Sequence, residues 1–326
     1  MSELAEIILL MLVGTFLAAL WAPWFIGKLY KVGLRRQDEK HRPIYRYLQQ
    51  EKIGVPSMGG VLVLVTLMVS VFLFLPITPG MVSILLSMIL FGVLGGIDDL
   101  KTLMFVASKY WGLRRRHILL VQTLIGLFIG AFLYFYVGLS TLAVPATNLV
   151  IPLGILMIPY SAFLIVATSN SFNITDGIDG LSSGLLIIAL LAFLVIAMAT
   201  GSGDIARLIA LWIGILFVYL YFNITPARFM MGDVGAQPFG AMLAVVALLL
   251  HLSLLLPIIG GMFFIEGASS LIQILSRRFR HGKKVFTIAP LHYHFQVKRW
   301  SEGKICMRFW LFGGFFALMG LFLAFV

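Results

Sequence analysis

Long apolar runs constrain this chain more than any other feature of its sequence. Of its 326 residues, 61% are hydrophobic and only 11% are charged. Soluble domains are roughly a quarter charged, so most of this surface must be solvated by lipid. A helix needs about 20 apolar residues to cross a hydrocarbon core. Such runs occur at 7–27, 58–76, 81–97, 118–138, 150–169, 181–200, 206–222, 235–251, 253–276 and 306–325.

These runs predict an all-α polytopic membrane protein of about ten transmembrane helices, forming a single integral membrane domain over residues 1–326. A membrane β-barrel would show short alternating segments instead of continuous apolar blocks. The single cysteine, Cys306, cannot form an intramolecular disulfide, and no cysteine and histidine spacing is typical of zinc. The first run lacks a positively charged leader and is interpreted as a retained helix.

The basic residues predict how the helices are oriented. With the N-terminus outside, the inside segments are 28–57, 98–117, 170–180, 223–234 and 277–305. These segments and Arg308 hold 23 of the 24 lysines and arginines, and Arg207 is the exception. Cytoplasmic loops carry such an excess. The sequence therefore predicts both termini outside, and this orientation signal explains the net charge of +11 without nucleic acid.

Two adjacent carboxylates, Asp98 and Asp99, close the third apolar run. Like charges side by side raise each other's pKa unless a cation intervenes, so the pair suits a metal site or a general base. The alternative is a solvated pair that marks the membrane boundary. One aspartate would be enough for that purpose.

A second polar cluster places Asn170, Asn173, Asp176 and Asp179 at intervals of three residues before an apolar helix. Such spacing brings side chains to one side of a helical turn. The alternative is a helix N-cap, for which asparagine and aspartate are preferred. A cap needs one such residue, whereas a ligand site uses several.

The short segment from Asn223 to Gly232 and Asp233 opens another helix. A carboxylate there suits Mg²⁺, which takes one or two carboxylates together with phosphate oxygens of a substrate. The alternative, a simple turn with an aspartate cap, stays open for this motif.

Two further loops complete the inside face. His292 and His294 follow the basic run at 277–284 and suit phosphate binding, metal binding or proton transfer, or else they are interfacial rings facing lipid headgroups. Lys52 and Ser57 lie in a glycine-rich loop without the spacing of a Walker motif. Together the loops offer carboxylates, cations and amides, the set that phosphoryl transfer requires. The residues alone predict a Mg²⁺-dependent phosphoryl transferase acting on a lipid.

At these motifs the sequence resembles the phospho-N-acetylmuramoyl-pentapeptide transferase family, within the polyprenyl-phosphate N-acetylhexosamine-1-phosphate transferases. The resemblance runs over nearly the whole chain and is most specific in the block from Ala289 to Trp310. It departs from the family pattern at Tyr293 and Met230.

The resemblance implies transfer of phospho-MurNAc-pentapeptide from UDP-MurNAc-pentapeptide to undecaprenyl phosphate, giving lipid I and UMP for peptidoglycan synthesis. It implies Mg²⁺ as cofactor, a bacterial cytoplasmic membrane with the site on its cytoplasmic face, a ninth helix that breaks and leans into the bilayer, and a homodimer. Asp233 would bind Mg²⁺, and Asp98 would act as base or nucleophile beside Asp99. The residues that would contact substrate are Lys52, Ser57, Asn170, Asn173, Asp176, Asp179, Asn223, Gly232 and Gln273, with His292 and His294 at the diphosphate.

Two other functions remain open at this stage. One is a sibling enzyme that uses another UDP-N-acetylhexosamine with the same lipid acceptor. The other is a transporter for an anionic solute, suggested by the basic face and by Glu266 within an apolar run.

Overall fold

The computed structural model describes residues 2–33, 35, 48, 52–104, 115–147 and 149–326. Parts of the basic inside segments 28–57 and 98–117 lie outside these residues. The described helices are, in chain order, α1 Glu3–Val32, α2 Gly60–Phe74, α3 Pro79–Met104, α4 Arg115–Phe132, α5 Met157–Thr175, α6 Leu181–Ala199, α7 Gly203–Asn223, α8 Asp233–Leu249, α9 Leu256–Ile259, α10 Gly261–Phe279, α11 Leu291–Val297 and α12 Glu302–Phe325.

The helices confirm the predicted class, an all-α polytopic membrane protein. Among the described residues, seven helices are long and apolar enough to cross a membrane, and α2 and α8 are shorter apolar helices. Large apolar side chains such as Leu12, Phe16, Leu311 and Phe322 stand exposed on outer helix faces, as lipid contact requires. The number of spans and the side on which the termini lie stay predictions.

The predicted run at 150–169 was wrong in its bounds. Strand β1 (Thr141–Ala143) pairs antiparallel with β2 (Val150–Pro152), and α5 begins only at Met157. Pro152 lacks a backbone N–H, and Gly154 has a φ of 54°, so the chain turns before the helix starts. At its other end α5 extends to Thr175, which places Asn170 and Asn173 in its last turns.

The run predicted at 253–276 is interrupted in the structure. The one-turn helix α9 ends at Ile259, and α10 begins at Gly261 after Gly260, whose backbone (φ −89°, ψ 25°) is not helical. This interruption agrees with the broken ninth helix that the resemblance implies. The inclination of α10 to the membrane stays a prediction.

Helix α8 forms the centre of the bundle and positions the site. Every residue from Val234 to Leu248 is buried, and α3 and α5 pack along the helix. A helix that is apolar on all sides belongs in such an interior. Close packing requires glycine at Gly95 of α3, where a Cβ would lie 2.1 Å from the carbonyl oxygen of Asp233. Gly95 thus lets the end of α3 reach the start of α8.

Candidate active site

The carboxylate of Asp99 caps the start of α8. The backbone N–H of Asp233 donates to Asp99 Oδ1 at 3.0 Å, and that of Val234 donates to Oδ2 at 2.9 Å. Carboxylates are favoured at helix N-termini because unpaired N–H groups and the helix dipole both attract negative charge. Gly232, with a φ of +74°, lies against this cap: a Cβ there would be 2.5 Å from Asp99 Oδ2.

The neighbouring Asp98 contacts the side chain of Asp233 instead of its backbone. The carboxyl group of Asp98 and the amide of Asn173 both lie close enough to the Asp233 carboxyl to interact with it. Gln237, one turn along α8, donates from Nε2 to Asp233 Oδ2 at 3.3 Å. Within the part of the chain that is described, no lysine or arginine forms an ion pair with either aspartate.

The carboxylates of Asp98 and Asp233 fit a divalent hard cation. Two acidic groups in contact repel one another when both are ionised, so they favour a shared cation or a shared proton. No group of three or more acidic, histidine or cysteine side chains able to hold a metal occurs in the described residues. Mg²⁺ commonly takes one or two protein carboxylates and fills its other positions with water and phosphate oxygens. Asp98 and Asp233 therefore match a Mg²⁺ shared with a phosphate substrate.

Lys52 lies at the centre of a second, buried charged cluster. Its Nζ lies 3.0 Å from Asp179 Oδ1 and 3.2 Å from Glu302 Oε2, and it donates to the carbonyl oxygen of Gly177 at 3.2 Å. Lys52 and Asp179 are almost fully buried, with side chains 5% and 7% exposed. The cluster ties three segments together beside a small pocket that is lined by Lys52, Val55, Asp179, Thr225, Pro226, Ala227 and Glu302.

Two side chains hold the loop after α7 against the loop after α5. Asn223 Oδ1 accepts the Gly180 N–H at 3.0 Å, while its Nδ2 donates to the Phe229 carbonyl at 3.0 Å. Asp179 Oδ2 accepts the Ala227 N–H at 3.1 Å. The walls of the pocket are thus fixed by hydrogen bonds from its own predicted ligand residues.

Asp176 follows the end of α5 and lies between the two clusters. The Ser182 hydroxyl donates to its Oδ1 at 2.5 Å. Burial raises the pKa of the Asp176 carboxyl from 3.8 to about 7, although the Ser182 hydrogen bond and the charge of Lys52 oppose that rise. Asp176 can therefore exchange a proton near neutral pH.

His292 is held by Glu266, and both side chains are fully buried. Glu266 Oε2 lies 3.2 Å from His292 Nδ1, and Oε1 accepts the His292 backbone N–H at 3.1 Å. The other ring nitrogen, Nε2, is buried against Gly177 and has no hydrogen-bond partner among the described residues. A carboxylate at Nδ1 favours a proton there, which leaves Nε2 as an acceptor.

The residues flanking His292 differ in their contacts. The Tyr293 hydroxyl donates to the Gly177 carbonyl at 3.2 Å, the same oxygen that Lys52 contacts. His294 lies further out, and partial burial together with the charge of Lys298 lowers the pKa of its imidazole. The structure thus brings His292 and Tyr293 to the Lys52 cluster.

Two predicted substrate ligands make other contacts. Gln273 holds the segment after α10, since its Oε1 accepts N–H groups of Val285 and Phe286 at 3.0 Å and its Nε2 donates to the Phe286 carbonyl at 2.8 Å. Asn170 donates to Gln122 Oε1 and to the Val166 carbonyl, both at 2.8 Å.

Ser57 lies beside the Asp99 cap. Its Oγ would be 2.9 Å from a Cβ placed on Gly232. This puts the loop that carries Ser57 next to the start of α8.

Sequence reasoning missed several members of the site. Glu302 was noted only as part of a family block, and Glu266 only as an intramembrane carboxylate. Gln122 and Gln237 were not singled out, although each is a polar residue within an apolar run and only 1% exposed. Polar side chains in such runs are costly unless they pair, and this could have identified them.

This chain is similar in sequence to one family of known proteins. The model for glycosyl transferase family 4 matches residues 81–251. A phospho-N-acetylmuramoyl-pentapeptide-transferase of Desulforapulum autotrophicum is 37% identical over 93% of this chain and 88% of its own length. Proteins of the same name from Halalkalibacterium halodurans and Bacillus subtilis are 35% and 32% identical, over 98% and 97% of both chains.

Proposed function

We propose a reaction for this chain from one premise: it belongs to the phospho-N-acetylmuramoyl-pentapeptide transferase family. The protein transfers phospho-MurNAc-pentapeptide from UDP-MurNAc-pentapeptide to undecaprenyl phosphate and releases UMP. The observation that carries this proposal is the contact between Asp98 and Asp233 at the end of an apolar bundle. The buried Lys52 and Asp179 of the neighbouring pocket add a fixed cation on the same predicted inside face.

Asp98 and Asp233 would hold Mg²⁺, and Asn173 and Gln237 would orient the Asp233 carboxylate. When bound, Mg²⁺ supplies charge neutralisation at the diphosphate. Asp99 keeps the start of α8 in place through its two backbone contacts. In this proposal one aspartate of the pair contacts the metal and the other caps the helix.

The bond that breaks joins the sugar-bearing phosphorus of the donor to the oxygen that leaves with UMP. An oxygen of the lipid phosphate forms the new bond to that phosphorus, either directly or after attack by Asp98. In the direct reaction Asp98 accepts the remaining proton of the lipid phosphate. Both routes require the reacting oxygens in line, so positioning supplies most of the catalysis.

The pocket around Lys52 would take the nucleotide part of the donor. Lys52 is held by Asp179 and Glu302, so its ammonium is fixed in position before substrate arrives. Glu266 would fix the His292 ring, whose Nε2 lies against Gly177 beside the Lys52 cluster. The site therefore combines a fixed cation with an imidazole ring of fixed orientation.

The site would face the cytoplasm in the cytoplasmic membrane of a bacterium. The concentration of lysine and arginine in the predicted inside segments supports this orientation. Pairing into a homodimer, which the resemblance implies, would bury some of the exposed apolar helix faces. The cytoplasmic location also gives access to a UDP-linked donor.

Purified protein incubated with undecaprenyl phosphate and Mg²⁺ tests the proposal. UDP-MurNAc-pentapeptide and UDP-GlcNAc are supplied in parallel, and UMP is measured. We expect UMP from the muramoyl donor alone. UMP from UDP-GlcNAc only would favour the sibling reaction, and no UMP from either donor would refute transfer.

A further inference from the structure

We infer that Gln237 is a positioning residue for the Asp233 carboxylate and that Gln122 and Asn170 hold it in place. This inference rests on the proposed function, in which Asp233 contacts Mg²⁺. Gln237 Nε2 donates to Asp233 Oδ2 at 3.3 Å, and Gln237 Oε1 accepts from Gln122 Nε2 at 3.1 Å. Gln122 Oε1 in turn accepts from Asn170 Nδ2 at 2.8 Å. Three amides thus form one hydrogen-bonded chain that ends on Asp233.

The direction of this chain is determined by its two ends. A carboxylate that holds a cation only accepts hydrogen bonds, so in that state the amide nearest Asp233 must present its NH₂ group. Its carbonyl oxygen then faces away and requires a donor, which Gln122 supplies. At the far end Asn170 also donates to the backbone carbonyl of Val166 at 2.8 Å. Each amide therefore has one orientation that satisfies its neighbours.

The chain joins three different helices within the interior of the bundle. Gln237 belongs to α8, Gln122 to α4 and Asn170 to α5, and both glutamines are 1% exposed. The Ser169 hydroxyl also donates a hydrogen bond of 2.9 Å to the backbone carbonyl oxygen of Gln237. Buried amides are costly unless they are paired, and here each unpaired group would lie in an apolar interior. This cost keeps the amides in one arrangement.

A neutral donor suits a carboxylate that must also bind a cation. An amide restrains one oxygen without neutralising the charge, whereas lysine or arginine at this position would compete with the metal. Residues that orient metal ligands typically change metal affinity or activity 10- to 100-fold when they are replaced. Removal of the Gln237 donor should therefore weaken metal binding.

The test measures binding of Mn²⁺, as a probe for Mg²⁺, by electron paramagnetic resonance on purified protein without donor substrate. Asp233→Asn serves as the reference that lacks the ligand. We expect Gln237→Leu to raise the dissociation constant roughly tenfold. Gln122→Leu should give a smaller increase, because the Asp233 contact itself remains.

The double variant Gln122→Leu/Gln237→Leu guards against misfolding. It removes both partners of the Gln122–Gln237 hydrogen bond, so neither glutamine is left facing a leucine across that bond. Its dissociation constant for Mn²⁺ should equal that of Gln237→Leu, because both glutamines act on Asp233 through one contact.

The matched control is Thr168→Val on α5, whose hydroxyl donates to the Leu164 carbonyl of its own helix. It should bind Mn²⁺ like wild type.

Binding by Gln237→Leu within twofold of wild type would overturn the inference, as would wild-type binding that does not depend on Asp233. UMP release by the wild type is measured separately. If Gln237→Leu weakens Mn²⁺ binding but the wild type releases no UMP, positioning stands and the proposed reaction fails. If UMP is released while the two glutamines leave Mn²⁺ binding unchanged, the reaction stands and positioning fails.

Discussion

Asp99 accepts the backbone N–H of Asp233 at 3.0 Å, so a residue near the end of one helix caps the first turn of another. The preceding residue, Asp98, contacts the Asp233 side chain instead. The two adjacent carboxylates thus contact Asp233 in different ways, Asp99 at its backbone and Asp98 at its side chain. Asp99 fixes where the helix begins, and Asp98 shares the position at which a cation would be bound.

These contacts predict different effects for the two aspartates. Asp99→Ala should lower the free energy of unfolding by about 1–2 kcal/mol, because α8 loses its N-terminal cap. Asp98→Asn should leave stability unchanged or higher, since it removes repulsion from Asp233. Thermal denaturation of the purified variants measures both. Equal losses of stability would contradict the assignment.

Lys52 should be important for stability as well as for binding. Lys52→Met leaves Asp179 and Glu302 without their cation in a buried setting, and breaking buried ion pairs typically costs about 3–5 kcal/mol. Lys304→Met is the matched control, because Lys304 is exposed and lies over the Trp300 ring. A thermal midpoint of Lys52→Met equal to that of the control would show that the cluster contributes no stability.

Glu266 should act through the tautomer of His292. In Glu266→Gln the new amide can present a donor to Nδ1, which would move the ring proton to Nε2. We expect turnover to fall at least about tenfold with little change in thermal midpoint. Glu6→Gln is the control, since Glu6 pairs with Arg207 in the segment predicted to face the other side. Unchanged turnover in Glu266→Gln would exclude a role for the Nε2 lone pair.

The stability of the ligand-free protein should depend on Asp176 between about pH 4 and pH 7. Burial raises the pKa of this carboxyl from 3.8 to about 7, so the folded state holds the proton more tightly than the unfolded chain. The resulting stability is fully present below pH 3.8 and is lost as pH rises through about 7. Thermal midpoints of wild type should fall over this range relative to Asp176→Asn. Parallel curves for the two proteins would contradict the raised pKa.

The sequence predicted the class of fold because lipid solvation leaves continuous apolar runs in each spanning helix. Helix ends were harder to predict. At 150–156 the residues are apolar yet form a strand and a one-turn 3₁₀-helix, since backbone geometry at Pro152 and Gly154 overrides hydropathy. Two of the acidic motifs, which lie far apart in the sequence, come together in the structure where Asp99 accepts the backbone N–H of Asp233.

Contacts between distant segments could not be predicted from the sequence. Asn223 and Gln273 have the composition of ligand residues, but their amides bind backbone groups that only the folded chain brings near. Glu302 meets Lys52 across most of the chain length. Gln122 and Gln237 lie in separate apolar runs, and nothing in the sequence indicates that their side chains form a hydrogen bond.

The most direct test of the central claim is UMP release from UDP-MurNAc-pentapeptide and undecaprenyl phosphate as Mg²⁺ is titrated. The wild type, Asp98→Asn and Asp233→Asn are compared. Wild-type turnover should saturate with Mg²⁺ and stop when a chelator removes the ion, and each variant should lose about 10³-fold or more in turnover. Full turnover in chelator, or near wild-type turnover in either variant, would contradict a Mg²⁺-dependent transfer centred on Asp98 and Asp233.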